Sequence, residues 1–231
     1  MNEKEKEEAK LNGFVLEGKT GVWKTTLLDA IFEKEVGKVE SSLISVTEFS
    51  KVYYYKMQNG KCISLIDTPG LSDSKVLENK NIDNIHLGNI TEVISNENIR
   101  LKGILFLVNV QNERFDSDEQ KALMRYNQLF PLRRFLKNLM VIFTHHFADS
   151  DGDTENEMRE NRDKSNGKIF SNIMDKAKDV SDVFDYKELR VKKFNSYSPI
   201  KNDKQKNKNI KVRDELESDL DYLSNTDPLF S

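Results

Sequence analysis

Apolar and polar positions along this chain follow two distinct rhythms. At residues 13–18 (GFVLEG), 103–110 (GILFLVNV) and 138–144 (NLMVIFT) apolar side chains fill both parities of a short run, the pattern of strands covered on both faces. Elsewhere they recur every three or four residues. In KTTLLDAIFEKE, Leu27, Leu28, Ile31 and Phe32 share one face of a helix that can rest on a sheet, and SDEQKALMRYNQLF repeats the period with Ser117 as its cap. The stretch 50–67, SKVYYYKMQNGKCISLID, is rich in β-branched and aromatic residues on either side of Asn59-Gly60, which predicts an antiparallel strand pair closed by a type I′ turn. Farther along, the pattern predicts a polar helix around 165–180, a short strand at RVKKFN and a charged helix from about 208 to 223.

Strands alternating with helices, with one early hairpin, predict an α/β fold. Its sheet is mostly parallel and six-stranded, with one antiparallel hairpin strand and helices on both faces. One domain over residues 12–200 accommodates these elements, flanked by a charged tail or surface helix at 1–11 and a charged helical extension at 201–231. No internal repeat is present.

Charge and cysteine usage narrow the partners. Lys and Arg number 36 against 39 Asp and Glu, and the formal charge of −3 provides no global field to attract nucleic acid or an anionic membrane. No nucleic-acid partner is expected. Cys62 is the single cysteine, which excludes an intramolecular disulfide and a thiolate metal cluster and fits a reducing, cytoplasmic setting. The start, MNEKEKEEAK, is neither a secretory signal nor an Arg-rich transit peptide. The longest apolar runs fall short of the ~18 residues needed to span a bilayer, so no transmembrane segment is expected. The apolar-poor last helix argues against membrane association while leaving weak peripheral contact open.

The candidate chemistry begins at GKTGVWKTT. The phosphate-loop pattern G-x-x-x-x-G-K-[ST] places Gly18, Lys24 and Thr25 in register, and only the second glycine is missing, replaced by Trp23. Amides at the start of a helix can cradle a β-phosphate while Lys24 neutralises charge and the Thr25 hydroxyl ligates Mg2+. The expected nucleotide-binding segment is therefore Gly18, Lys19, Thr20, Gly21, Val22, Trp23, Lys24, Thr25 and Thr26. The competing reading is a turn that merely caps a helix, and the next motif weighs against it. LIDTPG puts Asp67 at the end of an apolar strand and Gly70 three residues on, where the carboxylate would hold Mg2+ and the Gly70 amide would sense a γ-phosphate. Thr47, in SVTEFSK, is the natural second hydroxyl on that ion.

GKTGVWKTT, SVT, DTPGLSD and LVNVQNERFDSDEQ together resemble the G domain of the GIMAP/IAN family, the AIG-type GTPases, which is similar in turn to the chloroplast-import Toc GTPases and the septins. The likeness covers roughly residues 12–200. It implies a P-loop NTPase G-domain fold, GTP and GDP as ligands, Mg2+ as cofactor, and a nucleotide-dependent homodimer formed through the G domain. It also implies a role for FTHHFAD, which stands where Ras-type proteins carry N-K-x-D: His145 is the candidate contact to guanine, with Asp149 as an alternative carboxylate. The opposing reading leaves His145 and His146 as a strand end at the surface. Asn195, in FNSYS, resembles the last nucleotide-facing loop of that family.

Three further features bear on activity. In DSDGDTENEMRE, Asp149, Asp151, Asp153 and Glu160 match EF-hand positions, but Thr154 replaces the turn glycine and a strand precedes the loop, so a solvated acidic loop is the better reading. No glutamine follows Gly70, so hydrolysis by water attack on the γ-phosphate should be slow; Arg114 and Ser72 are near by in sequence, and no residue is singled out as catalytic. Trp23 brings a large side chain to a place where phosphates approach a bare backbone, and weakened nucleotide binding is expected. A nucleotide-blocked interaction protein and an ATP-using P-loop enzyme remain the alternatives.

Overall fold

The computed structural model describes residues 1–32, 50–70, 82–109, 119, 122, 123, 126, 135, 137–144, 190–193 and 203–229. The elements in chain order are α1 (Glu3–Lys10), β1 (Gly13–Glu17), α2 (Lys24–Phe32), β2 (Lys51–Lys56), β3 (Cys62–Asp67), α3 (Ile82–Asn96), β4 (Leu101–Asn109), β5 (Leu139–Thr144), β6 (Arg190–Lys193) and α4 (Asp203–Ser224). Glu119, Ala122, Leu123 and Tyr126 are also helical.

Six strands form one sheet in the order β2-β3-β1-β4-β5-β6. Only β2 runs antiparallel, pairing with β3 from Lys51↔Asp67 to Lys56↔Cys62; the other pairings are parallel. This is the mostly parallel, six-stranded α/β sheet with one antiparallel strand that the alternation of elements predicts. The chain leaves β1 toward one side of the sheet and returns from β3 to the other side. The carboxyl ends of these two adjacent strands therefore flank the crevice where ligands settle in open α/β sheets.

Strand parity sorts the core into two layers. Val15, Ile66, Ile104, Phe106, Val108 and Val141 face one layer with Ile90 of α3, Ala122 and Tyr126. Phe14, Leu16, Ile63, Leu65, Leu105, Leu107 and Ile142 face the other, covered by Leu27, Leu28 and Ile31 of α2 and by Leu216, Leu220 and Leu223 of α4. Each such side chain contributes about 1.5–3 kcal/mol when fully buried, which is why β1 and β4 are apolar at both parities.

The charged ends of the chain are tied down. Asn2 and Glu5 cap α1 reciprocally, Glu8 accepts the Cys62 amide at 3.2 Å, and Lys56 meets Glu5 at 2.7 Å. Helix α4 begins at 203 rather than 208. It clamps the β2–β3 hairpin: Glu217 accepts the Tyr55 hydroxyl at 2.5 Å and the Gln58 amide at 2.9 Å, and Lys61 pairs with Asp221 at 2.6 Å.

Two expectations need correction. The hairpin is present, but its turn is not type I′: Gly60 is left-handed (φ 87°) while Asn59 is not, and the Gly60 amide bonds to Met57 O at 2.9 Å. A three-residue connection with glycine at the left-handed position matches strand twist as well as the two-residue turn does. Helix α3 has no counterpart among the expected elements, because Ile90, Val93 and Ile94 are its described apolar anchors and they sit among polar residues and Gly88. The polar helix expected at 165–180 lies outside the described residues.

Candidate functional site

The loop joining β1 to α2 is built on three left-handed residues: Gly18 (φ 146°), Gly21 (φ 79°) and Trp23 (φ 65°). At Gly18 a Cβ would fall 2.5 Å from Leu107 O and 2.9 Å from Val22 Cγ2, so backbone sterics and packing both demand glycine. Trp23 satisfies neither preference. A left-handed conformation costs a side-chain-bearing residue about 1–2 kcal/mol, and a bulky one is a clear outlier there. Trp23 is nonetheless held, half-buried, as the residue whose carbonyl accepts the first bond of α2, from Leu27 N at 2.9 Å. The missing glycine of the motif is thus a position whose backbone still has the glycine conformation.

Lys24 opens α2 and is buried. Its ammonium curls back over the loop, donating to Gly18 O at 2.9 Å and to Lys19 O at 3.1 Å. Two carbonyl dipoles thereby compensate the desolvated charge. One residue on, Thr25 Oγ1 donates to Asp67 Oδ2 at 3.1 Å, and Asp67 is 1% exposed. Thr26 is half-buried in the same first turn. The Thr68 hydroxyl bonds Leu16 O at 2.6 Å, fixing the end of β3 against the end of β1. Gly70 then lies directly on Thr20.

Asp29, one turn after Thr25, is a second buried carboxylate on this side of α2. Burial first, and then the charges of Asp67 and Asp29, hold the Tyr53 phenol above its ordinary pKa. Among the described residues no group of three or more His, Cys, Asp or Glu could hold a metal ion unaided. The Thr25–Asp67 pair offers hard oxygens suited to a cation that draws its other ligands from water and phosphate.

Of the residues singled out in the sequence, the structure gathers Gly18, Lys19, Thr20, Gly21, Val22, Trp23, Lys24, Thr25, Thr26, Asp67 and Gly70 at the carboxyl ends of β1 and β3. Thr47, His145, Asn195, Asp149, Arg114 and Ser72, and the EF-hand-like loop, lie outside the described residues. Thr144, which precedes His145, ends β5 at the same sheet edge, paired with Asn109. Sequence reasoning passed over Glu17 and Tyr126. Glu17 is fully buried at the end of β1 and accepts both the Gly18 amide and the Tyr126 hydroxyl. The available signal was a lone acid in an otherwise apolar strand.

Solved structures share this fold. Toc33 from Arabidopsis thaliana, solved with Mg2+ and GMPPNP, superposes with a TM-score of 0.64 at 16% identity, covering 93% of this chain and 85% of that one. A structure reported under the statement that dimerization is important for the GTPase activity of the chloroplast translocon components atToc33 and psToc159 gives 0.65 at 18%, covering 95% and 86%. Era from Aquifex aeolicus bound to GDP and AlF4− gives 0.52 at 15%, covering 95% of this chain and 59% of that one. No curated protein sequence matches. No described helix is long and apolar enough to cross a membrane. The AIG1 family model matches residues 12–219, nearly the whole chain, and the protein belongs to the AIG1 family.

Proposed function

We propose that this protein binds GTP and GDP with Mg2+ in the loop 18–26 and hydrolyses GTP slowly, with affinity lowered by Trp23. The observation that carries the reading is the 3.1 Å contact between Thr25 Oγ1 and Asp67 Oδ2 at the head of α2, beside a buried lysine. A hydroxyl from the first turn of α2 and a carboxylate from the end of β3 converge where the amides of a helix N-terminus concentrate positive potential.

Within this reading the amides of residues 19–24 cradle the phosphates, and the Gly70 amide meets the γ-phosphate. His145 and Asn195 face the base. Thr25, Asp67 and Thr47 hold the ion, directly or through water. Held by these residues, Mg2+ would supply Lewis-acid neutralisation of phosphate charge. Lys24 has to exchange the Gly18 and Lys19 carbonyls for phosphate oxygens, a swap of neutral acceptors for charged ones that favours the bound state. Water attack on the γ-phosphate proceeds without a glutamine after Gly70, which limits the rate.

The domain is proposed to span 12–200, with helical flanks at 1–11 and 201–231, in a cytoplasmic protein. The dimerization described for the Toc proteins supports a nucleotide-dependent homodimer here as well. The second reading, an interaction protein whose site is closed to nucleotide, draws on the left-handed Trp23 and on the curled Lys24.

A titration with a fluorescent GDP analogue, with and without Mg2+, separates the two. Saturable, Mg2+-dependent binding displaced by GTP rather than ATP is expected. Absence of binding by both the parent chain and its Trp23→Gly variant would leave the second reading.

A further inference from the structure

Glu17 is an unusual residue to find in the centre of a sheet. It shares strand parity with Val15, so it enters the same core layer as Phe106, Val108 and Tyr126, and it is fully buried. Its two oxygens serve different partners. Oε1 accepts the Gly18 amide at 3.0 Å, and Oε2 accepts the Tyr126 hydroxyl at 2.5 Å. Tyr126 comes from a helix face that also buries Glu119 and Ala122, at helical spacing. Burial, and then the adjacent carboxylate, keep the Tyr126 hydroxyl well above its ordinary pKa, so it stays a donor throughout the physiological range.

The backbone of Gly18 is consequently held from three directions. Its amide is bound by Glu17, its carbonyl by the Lys24 ammonium at 2.9 Å, and its Cα rests against Leu107 O with no room for a side chain. Gly18 is the first residue of the loop, so the orientation of its peptide sets where the following amides point. An aliphatic residue at position 17 would leave the Gly18 amide and the Tyr126 hydroxyl buried without these acceptors.

We propose that Glu17 and Tyr126 form a positioning pair for the phosphate loop, holding the Gly18 peptide in the orientation that binds a polyphosphate and tying it to the helix that carries Tyr126. Neither group touches the ligand. The inference rests on the nucleotide reading of the same loop, and it adds a coupling between that loop and a helix on one face of the sheet, so that displacement of the helix is felt as a change in phosphate affinity.

The test measures the dissociation constant of a fluorescent GDP analogue, well below the unfolding temperature, for the full chain and its Trp23→Gly form carrying Glu17→Gln, Glu17→Leu, Tyr126→Phe or the last two together. Glu17→Gln retains an acceptor for the Gly18 amide and should bind within about threefold of its parent. Glu17→Leu should weaken binding about tenfold or more, Tyr126→Phe several-fold, and the double variant no further than Glu17→Leu alone, because the two residues act as one unit. Should Glu17→Leu fail to fold, Tyr126→Phe keeps the ring and carries the test. Variants that lower the melting temperature yet bind GDP as tightly as their parents would overturn the inference and leave the nucleotide reading standing. Failure of both parents to bind GDP, GTP or ATP would remove the reading and the inference with it.

Discussion

Gly70 sits flush against Thr20: a Cβ on Gly70 would lie 2.1 Å from the Thr20 hydroxyl and 2.4 Å from its backbone nitrogen. The loop after β3 thus closes on the loop after β1 through a contact only glycine permits. Gly70→Ala forces the two loops apart, and overpacking of this kind costs about 1–3 kcal/mol. The expected outcome is a lower melting temperature with a larger loss of GTP than of GDP affinity, checked by thermal unfolding and nucleotide titration. Equal losses for the two nucleotides would argue against a γ-phosphate role for Gly70.

Trp23 holds a glycine conformation without being glycine. Trp23→Gly removes the indole and about 1–2 kcal/mol of backbone strain, against a loss of half-buried apolar surface and some chain entropy. Stability should change little, while GDP affinity rises about tenfold or more, since each charge-assisted bond restored to the phosphates contributes about 1.5–3 kcal/mol. An unchanged dissociation constant would show that the indole already stands clear of the phosphates.

Thr25→Val and Asp67→Asn each remove one oxygen of the proposed ion site while nearly preserving volume. Nucleotide release from the parent is expected to accelerate when Mg2+ is chelated; release from either variant should be fast and insensitive to chelation. Stopped-flow displacement of the fluorescent analogue measures this directly. Retained Mg2+ dependence in both variants would place the ion elsewhere.

The clamp of α4 on the hairpin carries a pH signature. The Lys61 ammonium, 2.6 Å away, is the main cause holding the Asp221 carboxyl below its ordinary pKa. A depressed folded-state value means the contribution is fully present above the unfolded value of about 3.9 and is lost as pH falls through the folded value. The pair is half-buried and still open to solvent, so screening keeps the effect to a fraction of a kcal/mol. Lys61→Met should flatten this part of the stability profile between about pH 5 and 2, followed by urea unfolding.

Much of the molecule is legible in its sequence. β1, β4 and β5 announce themselves because strands buried on both faces must be apolar at both parities, and α2 because its apolar face repeats at helical spacing. The loop Gly18–Lys24–Thr25 and the Asp67–Gly70 turn are legible for a different reason: their spacing reflects local backbone geometry that few residue types can supply. Helix α3 was missed because Gly88 and polar residues dilute its period, and the turn at Gly60 was misassigned because Asn-Gly suits two loop lengths.

What the chain order alone determined is therefore local: which segments are strands, which residues can cradle an anion, and which face of each helix seeks cover. Only the folded structure decided which distant residues meet. Tyr126 reaches Glu17 across 109 positions, and Glu217 reaches Tyr55 across 162. It also decided that Lys24 bonds its own loop, that Trp23 is left-handed, and that the charged α4 buries Leu216, Leu220 and Leu223. Hydrophobic periodicity records that a face is buried but not what buries it, and only the fold brings donors to both oxygens of the buried Glu17.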